Sequence, residues 1–170
     1  MISTILAIFW TFIPAGIANM SPVLFKRVDF LNYPVSKKLL GDHKTWRGLF
    51  FGILMATIIV FIQKNMFSNI PFKLLDYSAI NPLILGPVFG AGALVGDMVK
   101  SFFKRRVGIQ PGRSWIPFDQ IDWIVGANLL LLTYTNIGIE KIIISIVLMG
   151  VLHPLVNFLS YCLKCQKVKI

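Results

Sequence analysis

Tyr77-Ser78-Ala79-Ile80-Asn81-Pro82-Leu83-Ile84-Leu85-Gly86-Pro87-Val88-Phe89-Gly90-Ala91-Gly92-Ala93-Leu94-Val95-Gly96 runs straight into Asp97-Met98-Val99-Lys100-Ser101-Phe102-Phe103-Lys104-Arg105-Arg106. The first stretch carries no charge; the second opens on an acid and holds four bases. Crossing the hydrocarbon of a bilayer takes about 20 apolar residues of helix. The pattern therefore predicts a membrane span, opened by Asn81-Pro82, interrupted at Gly86-Pro87, and meeting a membrane surface at Gly96.

Four more uncharged runs accompany it: Ile2–Asn19, Gly48–Gln63, Trp123–Ile139 and Ile142–Leu163. Five spans are expected, the second and fourth at the short end of the usual 17–25 residues. The chain of 170 residues is 56% hydrophobic, with a mean hydropathy of +0.74. Soluble domains are usually about 45–50% apolar, and one this small has too much surface to bury the excess. The expectation is an all-α integral membrane protein in one domain, residues 1–170. Met1-Ile2-Ser3-Thr4 lacks the basic segment of a signal peptide, so the first run is expected to stay as a helix. Pro14 and Pro22 are expected to break that helix between them.

Charge gives an orientation. Of the 17 Lys and Arg, fourteen fall in the segments 20–47, 98–122 and 164–170; only Lys64, Lys73 and Lys141 lie elsewhere. Basic residues are retained on the cytoplasmic side, which predicts N-terminus out, C-terminus in, and the polar segments facing the cytoplasm of a multi-pass cell-membrane protein. The net charge of +10 follows from that retention, or from an anionic substrate.

The acids separate the two readings. Asp97, Asp119 and Asp122 stand where spans meet the 98–122 segment. Helical spacing puts Asp97, Lys100, Ser101 and Lys104 on one face and Asp119 with Asp122 on another. Singly, each has an ordinary explanation: Asp97 pairs with Lys100 or Lys104, and the other two cap a helix start. Together, three acids flank a segment of five bases turned by Gly108, Pro111 and Gly112. Carboxylates for Mg²⁺ and cations for phosphates are what phosphoryl or nucleotidyl transfer requires. No Gly-rich phosphate loop of the Gly-x-x-x-x-Gly-Lys-Ser kind is present.

Leu40-Gly41-Asp42-His43-Lys44-Thr45-Trp46-Arg47-Gly48 supplies a second cationic patch. Lys44 and Arg47 are candidates to clamp a triphosphate, with Thr45 donating a hydrogen bond; the alternative is an interfacial belt anchored by Trp46. Asn19 bonds either a ligand or a broken helix. His43 and His153 read as structural. Cys162 and Cys165 form a Cys-x-x-Cys without two further ligands nearby, so ordinary thiols are expected. Glycine pairs four apart, 48/52, 86/90 and 92/96, suit close helix packing in lipid.

Four ordered motifs, Pro-Ala-x-x-Ala-Asn-x-x-Pro-Val at 14–23, Leu-Gly-Asp-x-Lys-Thr-Trp-Arg-Gly at 40–48, Gly-Asp-x-x-Lys-Ser-Phe-x-Lys-Arg-Arg at 96–106 and Asp-Gln-Ile-Asp at 119–122, resemble those of the CDP-archaeol synthases over nearly the whole chain. More distantly the sequence is similar to the bacterial phosphatidate cytidylyltransferases, through Gly96-Asp97, Ser101, Lys104-Arg105, Pro111-Gly112, Asp119 and Asp122. The histidine-glycine run that follows the Pro-Gly in those enzymes is missing here. The resemblance implies a cytidylyltransferase that joins CTP to 2,3-bis-O-geranylgeranylglycerol 1-phosphate, an isoprenoid ether lipid, and releases pyrophosphate. On that basis Asp97, Lys100 and Lys104 are expected to be catalytic and Asp97, Asp119 and Asp122 to hold Mg²⁺. Asn19, Lys44, Thr45, Arg47, Ser101, Arg105 and Arg106 are expected to bind substrate. No nucleic-acid partner is expected, and a homodimer stays open. Two other readings remain: the same chemistry on phosphatidic acid, and a transporter or scaffold binding anionic lipid. Asn128, Thr133 and Asn157 are the polar residues in the spans that transport would use.

Overall fold

A computed structural model describes residues 2–66, 69–110 and 113–162. Pro111, Gly112, Lys164, Cys165, Lys167 and Lys169 lie outside the described residues, as do the side chains of Asn157 and Cys162. Among the described residues six helices follow one another: α1 (Ile2–Leu24), α2 (Lys37–Leu40), α3 (Trp46–Met66), α4 (Pro82–Arg106), α5 (Phe118–Tyr134) and α6 (Ile139–Cys162). There is no strand among the described residues, only a bridge between Pro34 and Thr45. The all-helical architecture read from the apolar runs is therefore present. By length and composition, α1, α3 and α4 can each cross a membrane.

α1 corrects one expectation. It continues through Pro14 and Pro22 to Leu24 instead of breaking between them. A proline removes the hydrogen bond to the carbonyl four residues back, and in lipid that carbonyl must find another donor. For Pro14 the carbonyl is Trp10's, and the Gln63 amide of α3 donates to it at 2.6 Å. The second correction is at Gly86-Pro87, where α4 continues unbroken to Arg106. Asn81 caps that helix by accepting from the Leu83 N–H at 3.0 Å, with Pro82 at its first position, where a missing donor costs nothing.

α4 stands at the centre, against α1, α3 and α5, and α6 lies on α5. Ile8, Phe12, Val60, Leu85, Phe89, Ile124 and Leu131 form the buried core, with Phe12 and Phe89 edge to face at 5.6 Å. Isoleucine, leucine and valine cover much of the outside too: Ile139, Ile143, Val147, Val151 and Leu155 make an exposed stripe along α6. Four-residue spacing repeats that stripe once per turn, the surface a lipid-facing helix presents.

Candidate active site

The site is built on a contact between two main chains. A Cβ at Gly96 would overlap the main-chain carbonyl of Asp122, and one at Gly126 would overlap that of Gly92. With no side chain at either position, α4 and α5 touch backbone to backbone, as small residues permit in membrane bundles. Asp97 follows the first of these glycines and Asp122 is its contact, so the seam itself brings the two carboxylates together. Gly86 and Gly90 bring α4 equally close to α3 at Thr57 and Ile53.

The Lys100 ammonium occupies the point where three carboxylates meet. Its Nζ lies 3.0 Å from Asp97 Oδ1, 2.9 Å from Asp119 Oδ1 and 2.7 Å from Asp122 Oδ2. All four side chains are largely shielded, Asp122 down to 6% exposed. Lys44 pairs with the other oxygen of Asp97. Lys104 donates to both oxygens of Asp119, at 3.0 Å each, and to the Arg113 carbonyl at 2.6 Å. Asp119 also accepts from the Trp115 N–H at 2.5 Å. Three lysines thus face three aspartates. Burying so many charges is tolerable only where each is paired and hydrogen-bonded.

Lys44 reaches this cluster because its loop is folded back on the segment after α1. The Lys44 carbonyl accepts from Val35 N–H at 2.8 Å, and the Trp46 and Arg47 N–H groups donate to Tyr33 and Leu31. Thr45 starts α3: its hydroxyl oxygen accepts from the Gly48 N–H at 3.2 Å, an N-cap of the usual kind. Arg47 is buried and donates to the carbonyls of Lys26 and Val28 at 2.9 and 2.6 Å. Arg105 donates to the Ile109 carbonyl. Ser101 donates to the Asp97 carbonyl in its own helix at 2.8 Å, and Arg106 lies over the Phe102 ring, 4.9 Å from its centroid.

Beside the cluster opens a cavity of about 1080 Å³. Phe9, Phe12, Ile13, Trp123, Met149 and Leu152 give it an apolar wall; Asn19, Lys26, Asp42, Lys44, Thr45 and Asp97 give it a polar one. Asn19, Lys44, Thr45, Arg47 and Asp97, named from the sequence, are thus on one cavity, while Lys100, Lys104, Asp119 and Asp122 stand behind Asp97. His43 and His153 also line the cavity, a placement that sequence reasoning missed. For His153 the only signal was its seat in an apolar run beside Pro154, which says nothing of what faces it across the bundle.

The donor set suits a hard divalent cation, since carboxylate oxygens are what Mg²⁺ takes. As the side chains stand, Lys100 fills the space between the three acids, and no group of three acidic, histidine or cysteine ligands is disposed around an open point among the described residues. For a cation to take the three carboxylates, the ammonium has to give way.

The family model described as CarS-like, CDP-archaeol synthase, matches residues 1–170. The CDP-archaeol synthase of Pyrococcus furiosus is 32% identical over 168 residues, 96% of this chain and 97% of that one. Its counterpart from Methanocaldococcus jannaschii is 34% identical over 168 residues, covering 95% of each. That of Methanosphaerula palustris is 38% identical over 138 residues, 78% of this chain and 81% of the relative. A solved structure of an intramembrane enzyme for archaeal membrane lipids biosynthesis matches with a TM-score of 0.73 at 28% identity, covering 91% of this chain and 94% of that one.

Proposed function

The chain belongs to the CDP-archaeol synthase family, and from that premise we propose that it transfers the cytidylyl group of CTP to 2,3-bis-O-(geranylgeranyl)-sn-glycerol 1-phosphate. An oxygen of the lipid phosphate attacks the α-phosphorus of CTP, the bond to the β-phosphate oxygen breaks, and pyrophosphate leaves. The observation that carries this reading is the joining of a charged cluster to an apolar cavity wall. A reaction between a nucleotide and a lipid phosphate needs both on one site.

The residues divide the work by what they touch. No side-chain nucleophile is needed, because the lipid phosphate is already anionic. Lys44, Lys100 and Lys104 supply the cations that let two polyanions approach, a largely electrostatic contribution. Asn19 and Thr45 stand on the cavity wall to meet substrate hydroxyls or phosphates. Arg47 and Arg105, each through Nη1, and Ser101 donate to main-chain carbonyls and so shape the loops and helix that carry the lysines; Arg106 extends the basic rim. Asp97, Asp119 and Asp122 would hold Mg²⁺, which supplies charge neutralisation at the phosphates when bound. The apolar wall takes the prenyl chains.

The same reading places five spans in the cell membrane as one domain, N-terminus out, with the site on the cytoplasmic side where CTP is made available. Fourteen basic residues on one side support it. The test is incorporation of α-³²P-labelled CTP into lipid by purified protein in detergent, with and without Mg²⁺, using the ether lipid phosphate and phosphatidic acid in parallel. Metal-dependent label in the ether lipid, lost in Asp97→Asn, is the expected result. Label only in phosphatidic acid would move the acceptor to ester lipids, and no label from folded protein would leave a transporter or lipid-binding scaffold.

A further inference from the structure

Resting on the reaction proposed above, we propose that His153 binds the phosphate of the acceptor lipid, through a hydrogen bond from its ring Nδ1–H. Three observations lead there.

The first is position. On α6, Met149 and Leu152 belong to the apolar wall of the cavity, and His153 is the next residue toward the charged one. It lies within electrostatic reach of Lys100, Asp119 and Asp97. Of the two substrates, only the lipid is half apolar. Its chains belong against the apolar wall, which leaves its phosphate at the boundary where His153 stands.

The second is an unmet need. Among the described residues, two that line the cavity carry a buried side-chain atom without a hydrogen-bond partner: Arg47, at Nε, and His153, at Nδ1. Arg47, at the start of α3, is anchored through Nη1 to the Lys26 and Val28 carbonyls, on the charged side, whereas His153 stands beside the apolar wall on α6. A buried polar atom left without a partner is costly, and a phosphate oxygen in the cavity would remove that cost.

The third is the commitment of the lysines. Lys44, Lys100 and Lys104 are engaged with aspartates. Held there, they meet phosphates from the charged side of the cavity; beside the apolar wall on α6 the polar group facing it is the His153 imidazole.

The test exploits the two nitrogens of the ring. An Asn at 153 puts its amide N–H near where Nδ1 stands, whereas Gln puts it near Nε2. KM values for a lipid phosphate and for CTP are measured separately in mixed micelles for wild type, His153→Ala, His153→Asn and His153→Gln. Equilibrium binding of a dialkylglycerol phosphate and of the neutral dialkylglycerol is measured beside them. Losing a hydrogen bond to a charged group is worth about tenfold or more. Expected are a rise of that size in the lipid KM for Ala and Gln, recovery in Asn, a CTP KM within about twofold of wild type, and loss of the preference for phosphate over the neutral lipid. A shift in the CTP KM instead, or equal behaviour of Asn and Gln, overturns the assignment. If Ala does not fold, the Asn–Gln contrast decides. Wild type that makes no labelled lipid would end the cytidylyltransferase reading, whereas active wild type with an unmoved lipid KM in the variants ends only this inference.

Discussion

Two clusters of buried polar groups lie at opposite ends of α3 and α4, and they are built on different chemistry. Around Gln63 every partner is neutral or main chain: the amide donates to the Trp10 carbonyl, Tyr77 donates to Gln63 Oε1 at 3.4 Å, and Lys64 donates to the Ile80 carbonyl at 2.7 Å. Around Lys100, three full negative charges share one ammonium at 2.7–3.0 Å, beside a large cavity. The Gln63 end repairs a proline-broken helix and docks a loop. At the other end, the Lys100 cluster gathers charge beyond anything packing requires, since apolar residues of the same volume would hold two helices together at least as well. Neutral burial serves the fold; concentrated charge beside an open cavity is what the proposed chemistry would use.

The sharpest way to break that contrast is Asp97→Asn, which removes one charge and keeps the shape. Activity should fall by several orders of magnitude, more than the drop in thermal midpoint expected from Lys44 and Lys100 losing a buried charge partner; survival of turnover would place Asp97 with the merely structural groups. Next is Lys100→Met. Three carboxylates lose their shared cation, and breaking a buried ion pair costs about 3–5 kcal/mol. Thermal unfolding should drop accordingly, and added Mg²⁺ should restore stability to this variant more than it raises wild type, because the cation no longer competes with an ammonium. Equal responses to Mg²⁺ would separate Lys100 from the metal.

Gly96→Ala tests the seam that carries the cluster. Its Cβ would overlap the Asp122 carbonyl, and overpacking of this kind costs about 1–3 kcal/mol. Activity should fall about 100-fold, since misplacement by an ångström is enough for that; an unchanged rate would mean the acids need not be held so closely. Gln63→Leu at the other end should cost only about 1 kcal/mol, the Trp10 carbonyl losing its donor, with activity intact. Smallest of all is Asp76→Asn on the exposed loop. Hydrogen bonds from the Ser78 hydroxyl and N–H hold that carboxyl below its ordinary range. What little it stabilises is present above that range and disappears as pH falls through it, so the variant should match wild type in activity at neutral pH.

Much of this was legible in the residues. The uncharged runs located the long helices because lipid exposes no unpaired main chain, which ties apolar length to helix. Asp97, Lys100, Ser101 and Lys104 share a face through local spacing alone. The two corrected helix breaks had a different cause. Pro14 removes a donor, and that much is local, but the replacement comes from Gln63, 53 positions downstream in the Trp10–Gln63 bond. Arg47 and Arg105 read as phosphate ligands from charge; their main-chain partners are set by how the loops fold back. The histidines read as structural because neither has a sequence neighbour to act with.

The sequence by itself determined the helical class, the charge asymmetry, and the supply of acids, lysines and small residues, because each depends on residue type or on spacing within one helix. The tertiary structure alone decided that three carboxylates from α4 and α5 meet on one ammonium, that Lys44 arrives from a loop 53 residues away from Asp97, and that His153 closes the cavity from α6. Those facts depend on distances between helices and on a loop folding back, which no local pattern encodes; the backbone contact at Gly96 sets the α4–α5 distance among them.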